Sequence, residues 1–251
     1  MNPLNFLKKK DSFDYGKTWL NGFTSKDVTL EFYIRVNSLI KKGDIVVNLG
    51  AGRSAFYHDD YCDIRKKIQT LRMNEPAKII GCDIDPVVLE NMSTDKNILI
   101  GDDGKLPFEN QSIDVIVTDM VLEHVENPGV FCEEITRVLK PGGYLCARTP
   151  HKYNYVSIAA NIVPNKIHSK LLSLIQPLRK AEDVFPTAYR LNTIADLNKY
   201  FPQYIDHTYI YPSYPCYYFG RKVIFLFMSL IHFITPSWFH GHLLIFKSKR
   251  A

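Results

Sequence analysis

Asp44-Ile45-Val46-Val47-Asn48-Leu49 is a short β-branched run that stops abruptly at Gly50-Ala51-Gly52. An unbroken apolar run closed by a glycine turn fits a strand covered on both faces, the situation of strands in parallel sheets. Parallel neighbours need long crossover connections, so helices must alternate with strands along the chain. The sequence follows that rule. Further strands are predicted at Ala77 to Asp83, Asn97 to Gly101, Ile113 to Met120 and Tyr144 to Arg148. Pro86 opens a helix through Leu89, its fixed φ suiting a first helical turn. Another helix runs from Pro128 to Leu139 and breaks at Lys140-Pro141-Gly142-Gly143. Ahead of the first strand, Ser25 is placed to cap a helix whose apolar positions are Val28, Phe32, Val36, Leu39 and Ile40, stopped by Lys41-Lys42-Gly43.

After Pro150 the pattern changes. Residues 151–190 are helical and aromatic without a clear strand and are expected to form an inserted cap. A return helix follows from Leu191 to Phe201, capped by Asn192 or Thr193, with strands at Tyr204 to Tyr211 and His242 to Phe246. The fold expected is α/β: a Rossmann-like, doubly wound, seven-stranded and mostly parallel sheet with helices on both faces and a helical cap. Ligands then sit beyond the carboxyl ends of the strands. The economical organisation is one domain over 1–251, with a ligand-binding core at 44–150, a cap at 151–190 and the rest of the sheet at 191–251.

Composition narrows the class of partner. The chain has 251 residues, 46% of them hydrophobic and 23% charged, with a formal net charge of +5. That is an ordinary globular balance. The tightest basic cluster, Lys8 to Lys10, reads as a solvated arm, and no basic stripe interleaved with aromatics argues for nucleic acid. The five cysteines, Cys62, Cys82, Cys132, Cys146 and Cys216, make no C-x-x-C pair. No disulfide framework or metal site is expected, and a reducing cytoplasm fits. The N-terminus lacks the charge-then-apolar order of a signal peptide. Val223 to Phe239 carries no formal charge but is interrupted by Pro236 and falls short of a bilayer span. A buried or substrate-covering helix is expected there, with peripheral membrane contact through 219–239 as the second expectation.

Three segments carry chemistry. The loop Asn48-Leu49-Gly50-Ala51-Gly52-Arg53-Ser54 lets backbone approach a ligand and exposes helix N–H groups; with Ala55 it also satisfies the dinucleotide pattern G-x-G-x-x-A. Gly81-Cys82-Asp83-Ile84-Asp85-Pro86 ends the second strand in a carboxylate able to accept bonds from two ribose hydroxyls. Asp83 lies roughly thirty residues beyond Gly52, later than the roughly 20 of dinucleotide enzymes. Tyr57 to Glu75 is then an insertion, and Asp85 is read as the cap before Pro86. The third group is Gly101-Asp102-Asp103-Gly104-Lys105-Leu106-Pro107-Phe108, then Ser112-Ile113-Asp114-Val115-Ile116-Val117, Val121-Leu122-Glu123-His124-Val125 and Arg137-Val138-Leu139-Lys140-Pro141-Gly142-Gly143-Tyr144.

This succession resembles the class I S-adenosylmethionine-dependent methyltransferases of the type 11 small-molecule group, over roughly residues 44 to 150. The resemblance implies S-adenosylmethionine as cofactor. It implies that Asn48, Gly50 and Gly52 flank the methionine portion, Asp83 the ribose, Ile84 the adenine face, Asp102 and the backbone of Asp103 the adenine amino edge, and Met120 the substrate entrance. The chain departs from the family at Asn48, where an acid is usual, and at Ser54, which stands for a third glycine. Residues 149–153 and 182–193 resemble a bacterial methyltransferase group without supplying a substrate.

Methyl transfer leaves the protein to orient the acceptor and, for a hydroxyl, to remove a proton. His151, just past the fifth strand, and His124, after the fourth, are the candidate bases; Glu123 and His124 also suit the role of tying down a loop and capping the helix near Pro128. Asp119 suits orientation of backbone. Tyr153, Tyr155, Phe185, Tyr189 and Arg190 suit either an aromatic lid or the core of the cap. The acceptor expected is a small or lipid-linked molecule. A nicotinamide-dependent oxidoreductase fails on the late Asp83, and a non-catalytic relative is the alternative that Asn48 keeps open.

Overall fold

The computed structural model describes residues 24, 26–54, 63–101, 103–162, 185–215, 218 and 220–250. Helix α1 (Val28–Leu39) leads into β1 (Ile45–Leu49), α2 (Asp63–Gln69), β2 (Lys78–Asp83), β3 (Lys96–Leu99) and β4 (Ile113–Asp119). Then come α3 (Pro128–Val138), β5 (Leu139–Pro150), α4 (Tyr155–Ile162), α5 (Ile194–Tyr200), β6 (Tyr204–Asp206), β7 (Tyr209–Pro212), α6 (Lys222–Ile234) and β8 (Gly241–Lys249). Single turns of 3-10 helix occupy Pro86–Glu90, Leu122–His124 and Ser237–Phe239.

The sheet runs β3-β2-β1-β4-β5-β8-β6, with β7 paired to β8 off that path. Every pairing from β3 through β5 is parallel, while β6 and β8 are antiparallel. From β1 the chain steps to β2 in one direction; from β4 it steps to β5 in the other. Right-handed crossovers therefore put α2 and α3 on opposite faces. Both faces being covered explains why Val46, Val47, Ile79, Val115, Ile116, Val117, Leu145 and Cys146 are all buried although they alternate in direction. The reversal falls between β1 and β4, and the crevice at a reversal is where such sheets bind ligands.

The expected doubly wound sheet is present, with eight strands among the described residues where seven were expected. Tyr204 to Tyr211 splits because the Asp206 carboxylate accepts the Thr208 N–H at 3.0 Å, an Asx turn that interrupts the ladder. The fifth strand starts earlier than expected. Helix α3 ends at Val138 and the strand begins at once, running through Lys140 to Gly143 with a register shift between Ile113 and Val115 and the Lys140 ammonium on Asp114 at 2.7 Å. After β2, Pro86 opens a 3-10 turn, and Asp85 caps it by accepting the Val87 N–H at 2.9 Å. Thr193 caps α5, accepting the Asp196 N–H at 3.1 Å; Asn192, the other candidate, is buried elsewhere. Ser25, the segment Tyr57 to Cys62, Asp102, residues 163–184 and Cys216 lie outside the described residues.

The chain forms two compact units. One comprises Val28–Pro150, Ala188–Tyr209 and Leu243–Ala251; the other comprises Met1–Asp27, His151–Thr187 and Ile210–His242. The described cysteines, Cys82, Cys132 and Cys146, are buried free thiols; burial pushes Cys82 and Cys132 up to about 12. Such thiols are inert packing groups. Among the described residues no group of side chains forms a metal-binding cluster, and no helix is long and apolar enough to cross a membrane.

Candidate active site

The first unit gathers most of the expected site residues at the carboxyl edge of its sheet. Asn48 sits in β1, in register with Gly81 of β2 and Val117 of β4. It is half-buried and its amide makes no side-chain hydrogen bond among the described residues. Beyond it the chain turns back on β2, with the Gly50 and Ala51 N–H groups donating to the Cys82 carbonyl at 2.7 and 3.1 Å.

The two glycines of the turn differ. Both have positive φ, +78° at Gly50 and +48° at Gly52. A Cβ on Gly50 would stand 2.1 Å from Val121 Cγ2, whereas one on Gly52 would meet nothing within 4 Å. Gly50 is therefore a packing necessity between the ends of β1 and β4. Gly52 borders open space, where a ligand can approach its backbone.

The carboxylate of Asp83 is held from two sides. Its Oδ2 accepts the Gly52 N–H at 2.8 Å and its Oδ1 accepts the Asp85 N–H at 3.0 Å. An ionised carboxylate has about four acceptor positions, so two remain for a ligand. Ile84 and Met120 expose their apolar side chains at the ends of β2 and β4, and Met120 holds a left-handed φ of +60°. Asp103 accepts the Lys105 N–H at 3.1 Å and has a second carboxylate oxygen. Asp102 lies outside the described residues.

Asn91 and Ser93, which sequence reasoning passed over, fix the glycine turn together with Ser54. The buried Asn91 donates from Nδ2 to the Ala51 and Gly52 carbonyls at 3.1 and 3.0 Å. Its Oδ1 accepts the Ser54 hydroxyl at 2.6 Å and the Ser93 N–H at 2.9 Å, and the Ser54 and Ser93 hydroxyls lie 2.7 Å apart. Ser54, where the family pattern has glycine, keeps a φ of +57° under these bonds. Contacts across 37 to 40 residues make the arrangement, and no local signal announces it.

At the ends of β4 and β5, Arg148 makes a two-point bond to Asp119, Nε to Oδ1 at 2.6 Å and Nη2 to Oδ2 at 2.7 Å. Tyr33 of α1 donates its hydroxyl to Asp119 Oδ2 at 2.9 Å, and Arg148 Nη1 reaches Thr29 Oγ1 at 2.7 Å. Burial, then the Asp119 charge, pushes the Tyr33 phenol well above its ordinary range, so it stays a donor. Asp119 thus orients side chains rather than backbone.

Glu123 is 4% exposed and accepts the Thr149 hydroxyl at 2.9 Å; Thr149 in turn accepts Asn192 Nδ2 at 2.6 Å. The Glu123 carbonyl accepts the Ala188 and Tyr189 N–H groups at 2.7 and 3.1 Å. Glu123 ties down the 188–192 segment, one of the roles expected of it. The helix cap near Pro128 belongs instead to Asn127. Burial pushes the Glu123 carboxyl up to about 7. His124 is half-buried on the same turn.

His151 belongs to the second unit. It is buried, and burial lowers its pKa. Its Nδ1 accepts the Tyr153 N–H at 3.2 Å, so the neutral ring carries its proton on Nε2 and offers a donor there. Its ring lies 5.6 Å from that of Tyr153 and 6.4 Å from that of Trp238. In the same unit Tyr155 packs on His232 and Phe239 at 5.6 and 5.9 Å, a core position rather than a lid.

The reversal point, the glycine turn and the carboxylate closing β2 define a doubly wound α/β domain, a fold that binds ligands at the reversal point of its carboxyl edge. Residues 66–147 match the family described as "Methyltransferase domain". Demethylmenaquinone methyltransferase of Lactococcus lactis is 33% identical over 135 residues, which is 47% of this chain and 54% of that protein. The chain thus spans about half the length of that curated relative. Among solved structures, a chain of the complex between the Haloferax volcanii Trm112 methyltransferase activator and its methyltransferase superposes with a TM-score of 0.55 at 18% identity, covering 89% of this chain and 90% of that one. Geranyl diphosphate C-methyltransferase from Streptomyces coelicolor, solved with S-adenosyl-L-homocysteine, superposes with a TM-score of 0.55 at 13% identity, covering 97% and 83%. At such identities the likeness concerns the fold. The chain carries a class I S-adenosylmethionine-dependent methyltransferase domain of the type 11 group.

Proposed function

We propose that the protein transfers a methyl group from S-adenosylmethionine to a small-molecule, sugar or lipid-linked acceptor. The observation that carries this is the junction of Gly52 and Asp83. A backbone N–H bordering open space donates to the carboxylate that closes β2, which leaves acceptor positions rigidly held where a ribose would bind. The cofactor supplies the electrophilic methyl carbon; the protein's work is placement. In this reading Gly50, Gly52 and Asn48 border the methionine portion, and Asp83 accepts from ribose hydroxyls. The exposed side chains of Ile84 and Met120 are covered by ligand, and Asp102 and Asp103 face the adenine edge.

His151 commits its Nδ1 lone pair to Tyr153 and presents an N–H on the other nitrogen, which suits it to donating a hydrogen bond to the acceptor rather than to taking a proton from it. The Lactococcus lactis relative, named for acting on demethylmenaquinone, supports a small acceptor over a macromolecular one. Calorimetry with S-adenosylmethionine, S-adenosylhomocysteine and NAD tests the reading. Both adenosyl compounds should bind, Asp83→Ala should abolish their binding, and NAD should give no heat. Binding of NAD alone overturns it, and binding of none favours a non-catalytic relative.

A further inference from the structure

Helix α6 turns an unbroken apolar face outward. Phe225 and His232 are buried on its inner side. From Val223 to Ile234 every exposed position is hydrophobic: Val223 at 80%, Leu226, Phe227 at 62%, Leu230, Phe233 at 84% and Ile234 at 70%. Those positions follow helical spacing and form one stripe. Scattered exposed leucines are unremarkable, but a contiguous stripe of six large apolar side chains marks an interaction surface.

The chemistry of the stripe identifies its occupant. Beyond Lys222 the helix has two polar side chains, and neither is at a fully exposed position: the half-buried Ser229 donates its hydroxyl to the Phe225 carbonyl of its own helix at 2.7 Å, and the buried His232 has Nδ1 2.9 Å from the Ser213 carbonyl. The exposed positions from Val223 to Ile234 therefore offer no side-chain donor or acceptor. Protein interfaces carry about one hydrogen bond per 100–200 Å² even when apolar at the centre. Acyl chains ask for none. Charge points the same way: no aspartate or glutamate occurs anywhere in 207–251, while Arg221 and Lys222 stand at the start of the helix. At the other end Trp238 is 42% exposed, the residue type that favours the level of lipid headgroups. At 13 residues the helix is of a length to lie in a bilayer surface and too short to cross one.

We propose that α6 docks the protein on an anionic lipid bilayer, with Val223, Leu226, Phe227, Leu230, Phe233 and Ile234 immersed at the acyl boundary and Lys222 at the headgroups. The full chain should co-sediment with vesicles of equal phosphatidylglycerol and phosphatidylcholine, and less with phosphatidylcholine alone. Phe227→Gln and Phe233→Gln should each weaken that partition about tenfold, the scale of losing one large buried apolar side chain. Lys222→Glu should weaken binding to the anionic vesicles. Both phenylalanines are exposed, so the thermal midpoint should stay unchanged and report an intact fold. Protein left in the supernatant with the anionic vesicles overturns the proposal, as does binding that the phenylalanine variants retain. Concentration-dependent self-association that the same variants disperse, without vesicle binding, overturns it in favour of a second copy of the chain.

Discussion

Arg148 clasps Asp119 through two parallel bonds, 2.6 Å from Nε and 2.7 Å from Nη2, and so joins the carboxyl ends of β5 and β4 beside the glycine turn. Both side chains are largely buried, at 11% and 16% exposure. Asp119→Ala removes the two-point acceptor of the guanidinium and the acceptor of the Tyr33 hydroxyl together. Breaking a buried pair from one side costs about 3–5 kcal/mol, whereas replacing both partners by apolar residues costs far less. Urea unfolding should show the large loss for Asp119→Ala and a partial recovery for Asp119→Leu combined with Arg148→Met. Equal losses in the two proteins would mean the pair contributes by packing alone.

Glu123 gives the fold a pH dependence of definite sign. Burial raises its carboxyl from an ordinary 4.5 to about 7, so between those values the folded chain keeps a proton that the unfolded chain has released. Stability falls wherever the native state binds more protons as pH rises. The contribution is therefore complete below about 4.5, declines through that window, and is lost above about 7. Glu123→Gln keeps an acceptor for the Thr149 hydroxyl and removes the titration. Urea melts at the two ends of the window should differ by less in the variant than in the wild type, by an amount on the order of 3 kcal/mol. An unchanged pH profile would place the titration elsewhere.

How much of this was legible in the sequence depended on the range of the interaction. Strands buried on both faces announce themselves by composition, so β1, β2 and β4 lie near their expected ends, while β5 ends near the expected Arg148 but starts five residues before the expected Tyr144. Asp85 was readable as a cap because it acts two residues away. The Asx turn at Asp206 is equally local, but its alternating neighbours masked it and one strand was read where two exist. The Asn91 clamp, the Arg148 and Asp119 pair and the Glu123, Thr149 and Asn192 relay depend on contacts 26 to 43 residues apart. No periodicity reports such contacts. Asp119, read as a backbone-orienting residue, therefore found its true partners only in three dimensions.

The two glycines of the turn should separate stability from binding. Gly50→Ala combines a left-handed φ with a methyl 2.1 Å from Val121 Cγ2. Conformational strain of about 1–2 kcal/mol and overpacking of about 1–3 kcal/mol should together lower the unfolding free energy by about 3 kcal/mol. Adding Val121→Ala should return part of that loss. Gly52→Ala meets no neighbour and should cost only the strain of about 1–2 kcal/mol. Its methyl would instead enter the space proposed for the cofactor, so calorimetry should show weaker S-adenosylhomocysteine binding in a nearly native protein. If Gly52→Ala binds as the wild type does, the ligand does not approach that backbone.

Asn48 tests the proposed direction of the cofactor. Its amide is half-buried, unengaged among the described residues, and in register with both flanking strands next to the turn. A carboxylate there would face the cofactor's ammonium with a charge-assisted bond, which is roughly twice as strong as a neutral one. Without ligand, the same charge lies half out of water against apolar strands, so Asn48→Asp should lower the thermal midpoint of the empty protein. Ligand should reverse that order. S-adenosylmethionine and S-adenosylhomocysteine share the ammonium, so both should bind about tenfold more tightly, on the scale of about 1.4 kcal/mol. Adenosine, which lacks it, should bind the two proteins alike. Tightening for adenosine as well would show that the charge acts on the turn itself, and no tightening for any ligand would place the ammonium away from β1.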